Sequence, residues 1–335
     1  MSLFLSSFSR LVLVFFAALI SIIFVLMVAS YPLGTYVIFN TELGSTITHE
    51  FPLQEFFLFA VLPVGIPATF QLGELFIMMW CFYLLFFALL MFGPRRNVLQ
   101  SWLSMIRKGE EPKGNALNMV IVWLAAFFVI SRVLDLLQES VGVSTGAIEF
   151  ENQLVQFFNL TAAPIREELG FRLVLVGIPA YFILVGRRSF SSFFGTLWHP
   201  GRHRVIDGSN RKQVYILITI SAVLFGLAHV FFGEGWSYGK ISQAMVGGWI
   251  LGWVYYRYGL HAAIIMHWGI NYFIFSYAYF GNTVWGFSWN DPAANPMLAG
   301  IDYLLTVTGT IAIVIFLYKF FRERFPVRSE QQNSF

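Results

Sequence analysis

The chain has 335 residues, of which 57% are apolar and only 12% charged, with 38 phenylalanines and a net charge of +3. Soluble domains carry about 25% charged residues and have no way to hide so much apolar surface, so the composition excludes a water-soluble protein and requires lipid contact. No Lys/Arg stripe interleaved with aromatics supports a nucleic-acid partner, and a lone cysteine, Cys81 in an apolar run, excludes an intrachain disulfide.

Taken from the N-terminus, Arg10 followed by Leu11 to Ala29 looks like a signal peptide. At about 19 residues the apolar run is long enough to span a bilayer, and it reads as a retained anchor helix. Further runs of spanning length fall at about 72–93, 115–137, 153–185, 213–232, 240–258, 260–281 and 300–320, which with 11–30 predicts about eight transmembrane helices. The stretch 51–70 is apolar but interrupted by Pro52, Pro63 and Pro67, and reads as an interfacial or re-entrant piece. The run at 153–185 is long for one span and is expected to tilt or break near Pro164.

Lys and Arg set the direction. Under the eight-span reading, 17 of the 21 basic residues fall on one side: Arg10, the groups at 95–113, 187–212 and 319–328, and Arg257. That side is the cytoplasm, so both termini are cytoplasmic. The opposite loops carry Glu42, Glu50, Glu55, Glu139, Glu149, Glu151 and Asp291. His199 and His203, in the longest cytoplasmic loop at 186–212, read as solvated loop residues, because Pro200 and Gly201 between them disfavour helical metal-ligand geometry. His49 lies in the outer loop. The expected fold is an all-α polytopic transmembrane bundle in a prokaryotic cell membrane. It divides into N-terminal membrane helices with an outer loop at 1–149, a polar core at 150–281, and a final span with a basic tail at 282–335.

Three patches break the apolar pattern: Pro164-Ile165-Arg166-Glu167-Glu168-Leu169-Gly170-Phe171-Arg172, Phe225-Gly226-Leu227-Ala228-His229 and His267-Trp268-Gly269-Ile270-Asn271. A charge at the bilayer centre costs roughly 2.5–3.5 kcal/mol on insertion scales, so several together predict mutual pairing around a wet cavity. Glu168 and Arg172 are four apart, on one helix face, and suit an ion pair. Glu167 lies about 100° around the helix from Glu168, so it can point elsewhere. A carboxylate near a guanidinium stays ionised, as a general base must. His267 and Asn271, also four apart, offer donors for a developing oxyanion, and His229 can share a water with Glu167. His261, six residues before His267, faces elsewhere and reads as interfacial. Simple hydropathy leaves His229 near the outer end of its span and His267 nearer the inner end, a gap of roughly 13 Å at 1.5 Å per residue.

Read in order, these patches are E-E-x-x-x-R, F-x-x-x-H and H-x-x-x-N, and over about 150–281 the chain resembles the CPBP intramembrane protease family, which includes the CAAX prenyl endopeptidases. Leu173 stands where the family usually has Gly, and Gly170 where a larger apolar residue is common. The resemblance implies peptide-bond hydrolysis of a membrane-associated protein or peptide, prenylated substrates being one class. It implies catalytic roles for Glu167, His229, His267 and Asn271, with Glu168 and Arg172 in support. No cofactor is expected, and zinc held by Glu167, His229 and His267 is the rival arrangement. A non-proteolytic carrier, or an immunity or scaffold protein, is the alternative function. A carrier would show two related halves, whereas the polar motifs lie only in the second half.

Overall fold

The computed structural model describes residues 2–40, 55–57, 65–67, 71–146, 153–186, 189–202, 208–232 and 235–324. Its helices are α1 (Ser2–Phe39), α2 (Leu72–Phe92), α3 (Val98–Lys108), α4 (Ala116–Ser140), α5 (Gln153–Glu167), α6 (Ile178–Leu184), α7 (Phe190–Trp198), α8 (Gly208–Phe231), α9 (Gly239–Tyr258), α10 (Leu260–Trp268), α11 (Ile274–Trp285) and α12 (Pro296–Arg324). Within the 51–70 stretch, β1 (Glu55–Phe57) and β2 (Gly65–Pro67) pair antiparallel, with Phe56 opposite Ile66. Proline and glycine there disfavour a helix, and a short ladder forms instead.

Among the described residues, five helical stretches are long and apolar enough to cross a membrane: Arg10–Phe39, Leu72–Phe92, Ala116–Ser140, Lys212–Phe231 and Pro296–Arg324. The other three expected spans are helical but differ in kind. α9 is helical throughout, while π-helical turns at Glu168–Gly177 and Gly269–Phe273 interrupt the fourth and seventh. The break expected at Pro164 is displaced: Pro164 lies inside α5, and the irregular backbone begins at Glu168. Nearby, the Tyr83 hydroxyl on α2 donates to the Thr161 carbonyl at 2.5 Å and ties this stretch to its neighbour.

Helix starts follow the sequence locally. Asn115 caps α4, its Oδ1 accepting from the Leu117 amide at 2.9 Å while its Nδ2 donates to the Leu90 and Arg96 carbonyls. Between α9 and α10 the chain reverses on Gly259 alone, at φ 99°, a conformation that suits glycine and no other residue. α8 packs most extensively on α9, where a Cβ at Gly226 would meet the Ile241 carbonyl oxygen at 2.5 Å. Small residues replace bulk at this interface, as is usual between membrane helices.

Contacts sort the helix ends into two groups. At one end Arg10 donates to the Arg107 carbonyl, and Lys319 and Lys113 both pair with Glu111. Burial works to raise the Glu111 carboxyl, but the bonds from Lys319 and Lys113 outweigh it and hold the group below its usual range. At the other end Gln138 near the close of α4 bonds Gly239 and Ser242 at the start of α9. Arg132 of α4 also grips Asp302 of α12 there, with both carboxylate oxygens on one guanidinium nitrogen. Between the ends the core is aromatic. Trp268 is fully buried and stacks on Tyr31 and Tyr272, with ring centroids 4.9 and 5.2 Å apart.

Candidate active site

The three polar patches meet on one side of this aromatic core. Glu168 and Arg172 are both fully buried, and Nε of Arg172 lies 3.1 Å from Oε2 of Glu168. The pair is close as ions but misaligned as a hydrogen bond, since Nε, both terminal guanidinium nitrogens and that carboxylate oxygen have no hydrogen-bond partner among the described residues. The guanidinium is held instead by charge and by an aromatic face: its carbon sits 4.5 Å from the centroid of Phe225 and 6.0 Å from that of Phe171. Phe225, which opens the second patch, is thus a partner of the buried cation. Nothing in the spacing of that patch had assigned it a task.

The second oxygen of Glu168 reaches a different helix. Oε1 lies 2.9 Å from Nδ1 of His267, and on the far side of the ring Nε2 faces Oε2 of Glu167 at 3.7 Å. One imidazole is therefore bracketed by two adjacent carboxylates. Helix rotation left Glu167 free to point elsewhere, and in the structure both carboxylates face one ring. The π-helical turns that begin at Glu168 underlie this, since such a turn rotates neighbouring side chains differently from an α-turn, and such turns recur at functional sites. The Phe171 carbonyl within this π segment accepts from Ser221 Oγ on α8 at 2.6 Å, tying the segment to the helix that carries His229.

His229 bonds its own helix, Nδ1 to the Phe225 carbonyl at 2.8 Å, which leaves Nε2 as its outward nitrogen. Its ring packs at 4.6 Å from Phe225, and the same phenyl lies 6.1 Å from His267. Both histidines flank one aromatic ring, so the depth gap inferred from hydropathy is closed. The π turns beside Glu168 and His267 make these helices irregular, whereas hydropathy counts residues along regular ones. Glu167 and His267 both lie within electrostatic range of His229.

Asn271 sits half-buried on the π turn Gly269–Phe273, one turn beyond His267, with no hydrogen bond to Glu167, His229 or His267. His261, at the start of α10, is 9% exposed and stacks on Trp198, with centroids 4.7 Å apart. His199 is no free loop residue, because its Nε2 bonds the Arg257 carbonyl at 3.0 Å. His49 and His203 lie outside the described residues.

Glu167, His229 and His267, which would hold a zinc, are not drawn into a ligand set; among the described residues no three His, Cys, Asp or Glu side chains converge in that way. Nδ1 of His267 is engaged by Glu168 and Nδ1 of His229 by the Phe225 carbonyl, so Nε2 is the nitrogen of each ring that could face a metal, and the Nε2 of His267 has Glu167 at 3.7 Å.

Residues 151–273 match the family model described as Type II CAAX prenyl endopeptidase Rce1-like. No curated protein and no solved structure matches the chain.

Proposed function

The chain carries, across residues 151–273, a domain of the type II CAAX prenyl endopeptidase Rce1-like family, and on that ground we propose that it hydrolyses a peptide bond of a membrane-associated substrate with Glu167 as the base. Integral membrane placement follows from the five long apolar helices. The observation that carries the catalytic reading is His267 held between Glu168 and Glu167, with His229 across the same phenyl ring.

The steps balance with these groups alone. Glu167 takes a proton from a water that attacks the carbonyl carbon, and the carbonyl electrons move onto oxygen. An ionised Glu168 is an acceptor only, so His267 donates through Nδ1–H, and its Nε2 becomes a second donor when the ring gains another proton. Oε2 of Glu167, 3.7 Å from Nε2, is the group placed to hand over that proton as the oxyanion forms. Asn271, on the same helix, supplies an amide NH₂ beside it. Collapse of the tetrahedral intermediate breaks the C–N bond, and the proton passes to the leaving amine. Glu168 and Arg172 are positioning residues in this scheme, fixing the imidazole as a buried carboxylate fixes any catalytic histidine.

The same reading gives eight crossings with both termini cytoplasmic. The helix-end contacts support it: Arg10, the 95–113 segment and Lys319 share one basic end, while the close of α4 and the start of α9 share the other.

The test is cleavage of a peptide library containing prenylated and unprenylated members by purified wild type beside Glu167→Ala. Wild type should cut a subset of the library and the variant none. Near-normal turnover by Glu167→Ala would remove Glu167 from the role of base.

A further inference from the structure

One helix takes no part in the scheme above. α7 has nine residues, Phe190–Trp198, about 13 Å at 1.5 Å per residue, and is too short to cross a bilayer. Ser189 opens it with a capping box, its Oγ accepting from the Ser192 amide at 3.1 Å. One side is fastened to the bundle. The Leu197 carbonyl accepts from the Tyr255 hydroxyl at 2.8 Å, Nε2 of His199 bonds the Arg257 carbonyl, and the Trp198 ring lies 6.0 Å from that of Phe86. Tyr255 and Arg257 are near the close of α9, and Phe86 is in the last two turns of α2. α7 therefore sits at the basic end of the bundle, with Arg10, Lys113 and Lys319.

The other side is apolar and uncovered. Thr196 and Leu197 are buried, whereas Phe190 is 81% exposed and Phe194 52%, their rings meeting edge to face at 4.7 Å. Such a pair is unfavourable in water and at home where a bilayer meets water. The charge around the helix says which lipid it meets. Arg187 and Arg188 come just before it in the sequence, Arg202 and Arg204 just after it, and no Asp or Glu occurs between Glu168 and Asp207. Arg202, on the short turn Pro200–Arg202, is exposed, and no salt bridge takes its charge among the described residues. Elsewhere at this end the protein answers its own cations: Glu111 pairs with Lys113 and Lys319, and Glu110 with Arg96. Beside α7 the sequence offers no such acid.

We propose that α7 is an interfacial helix that docks on anionic lipid of the surrounding bilayer, Phe190 and Phe194 entering the leaflet and the flanking arginines holding headgroup phosphates. Helices with aromatic residues on one face and basic residues around the other lie in the membrane surface in this way. A guanidinium matches two phosphate oxygens at once. Each basic residue at an anionic surface strengthens the hold about fivefold. A zwitterionic headgroup carries its own cation beside the phosphate, so the preference is for lipid with a net negative charge. The proposal stands apart from the hydrolytic reading, since it concerns what the helix touches and not what the site cuts.

The experiment reads lipid contact directly. The full chain carrying Cys81→Ser and Ser191→Cys is labelled at position 191 with a fluorophore and placed in nanodiscs of equimolar phosphatidylcholine and phosphatidylglycerol. Bromine, a contact quencher, is put on the acyl chains of one lipid or the other. Brominated phosphatidylglycerol should quench at least about twice as strongly as brominated phosphatidylcholine. Glutamine at Arg187, Arg188 and Arg202 together should bring that ratio to about one, and lysine at the same three positions should keep it, which guards against a folding artefact. Phe190→Ser with Phe194→Ser should weaken quenching by both lipids. A label quenched by neither lipid would put α7 in water or under a protein, a second copy included, and overturns the proposal. Equal quenching by the two lipids overturns it as well, as does a preference that survives the three glutamines.

Discussion

Replacing Glu168 with glutamine preserves the shape of the side chain and removes its charge, which isolates what that charge does. In the structure Glu168 is fully buried and answers two groups, Arg172 at 3.1 Å and Nδ1 of His267 at 2.9 Å. Removing one partner of a buried ion pair costs about 3–5 kcal/mol, because the other charge is left uncompensated. Here the Phe225 face remains 4.5 Å from the guanidinium, and a desolvated cation–π contact retains up to about 2 kcal/mol. The expected loss therefore sits at the lower end, about 3 kcal/mol, or roughly a hundredfold in the ratio of folded to unfolded protein. Thermal unfolding in detergent, followed by the fraction still monodisperse on size exclusion, measures it. The companion variant replaces both partners, Glu168→Leu with Arg172→Met, and should recover most of the loss, since no buried charge is left alone. Neither variant should cleave peptide, because His267 loses its orienting carboxylate in both. Glu168→Gln melting with wild type, or a double variant no more stable than the single, would refute the account of Arg172 as a buried charge that depends on Glu168.

Two further outcomes follow from the same structure. Tags at Ser2, within the 186–212 loop and at Phe335 should all report the cytoplasmic face, with a tag at Thr46 reporting the other. Opposite labelling of the two termini would require an odd number of crossings. Activity should persist in a strong chelator and elemental analysis should find no stoichiometric zinc; loss on chelation that added zinc alone restores would make Glu167, His229 and His267 metal ligands.

Much of this architecture is readable from hydropathy, because a bilayer leaves a backbone few options. The five long apolar helices coincide with predicted runs to within a few residues at most ends, α1 and α12 running further. What hydropathy misreads is the second half, and the reason is local. Glu167, Glu168, Arg166 and Arg172 lower the mean hydropathy of their own segment, and the π turns at Glu168–Gly177 and Gly269–Phe273 have no signature in a pattern of apolar spacing. Proline marks where a helix loses a hydrogen bond, so Pro164 drew attention four residues too early.

Spacing gave the Glu168–Arg172 neighbours but not the third member, His267, which comes from a helix 99 residues on. A charge count could have hinted at it. Arg172 faces one oxygen of Glu168 as an ion without a hydrogen bond, and a fully buried carboxylate seldom leaves both oxygens without a donor, so a second partner had to come from another patch. By the same reasoning a buried guanidinium with five donors and a single ion-pair contact needs something else to face it. The aromatic residue of F-x-x-x-H was the available candidate, and Phe225 stands there.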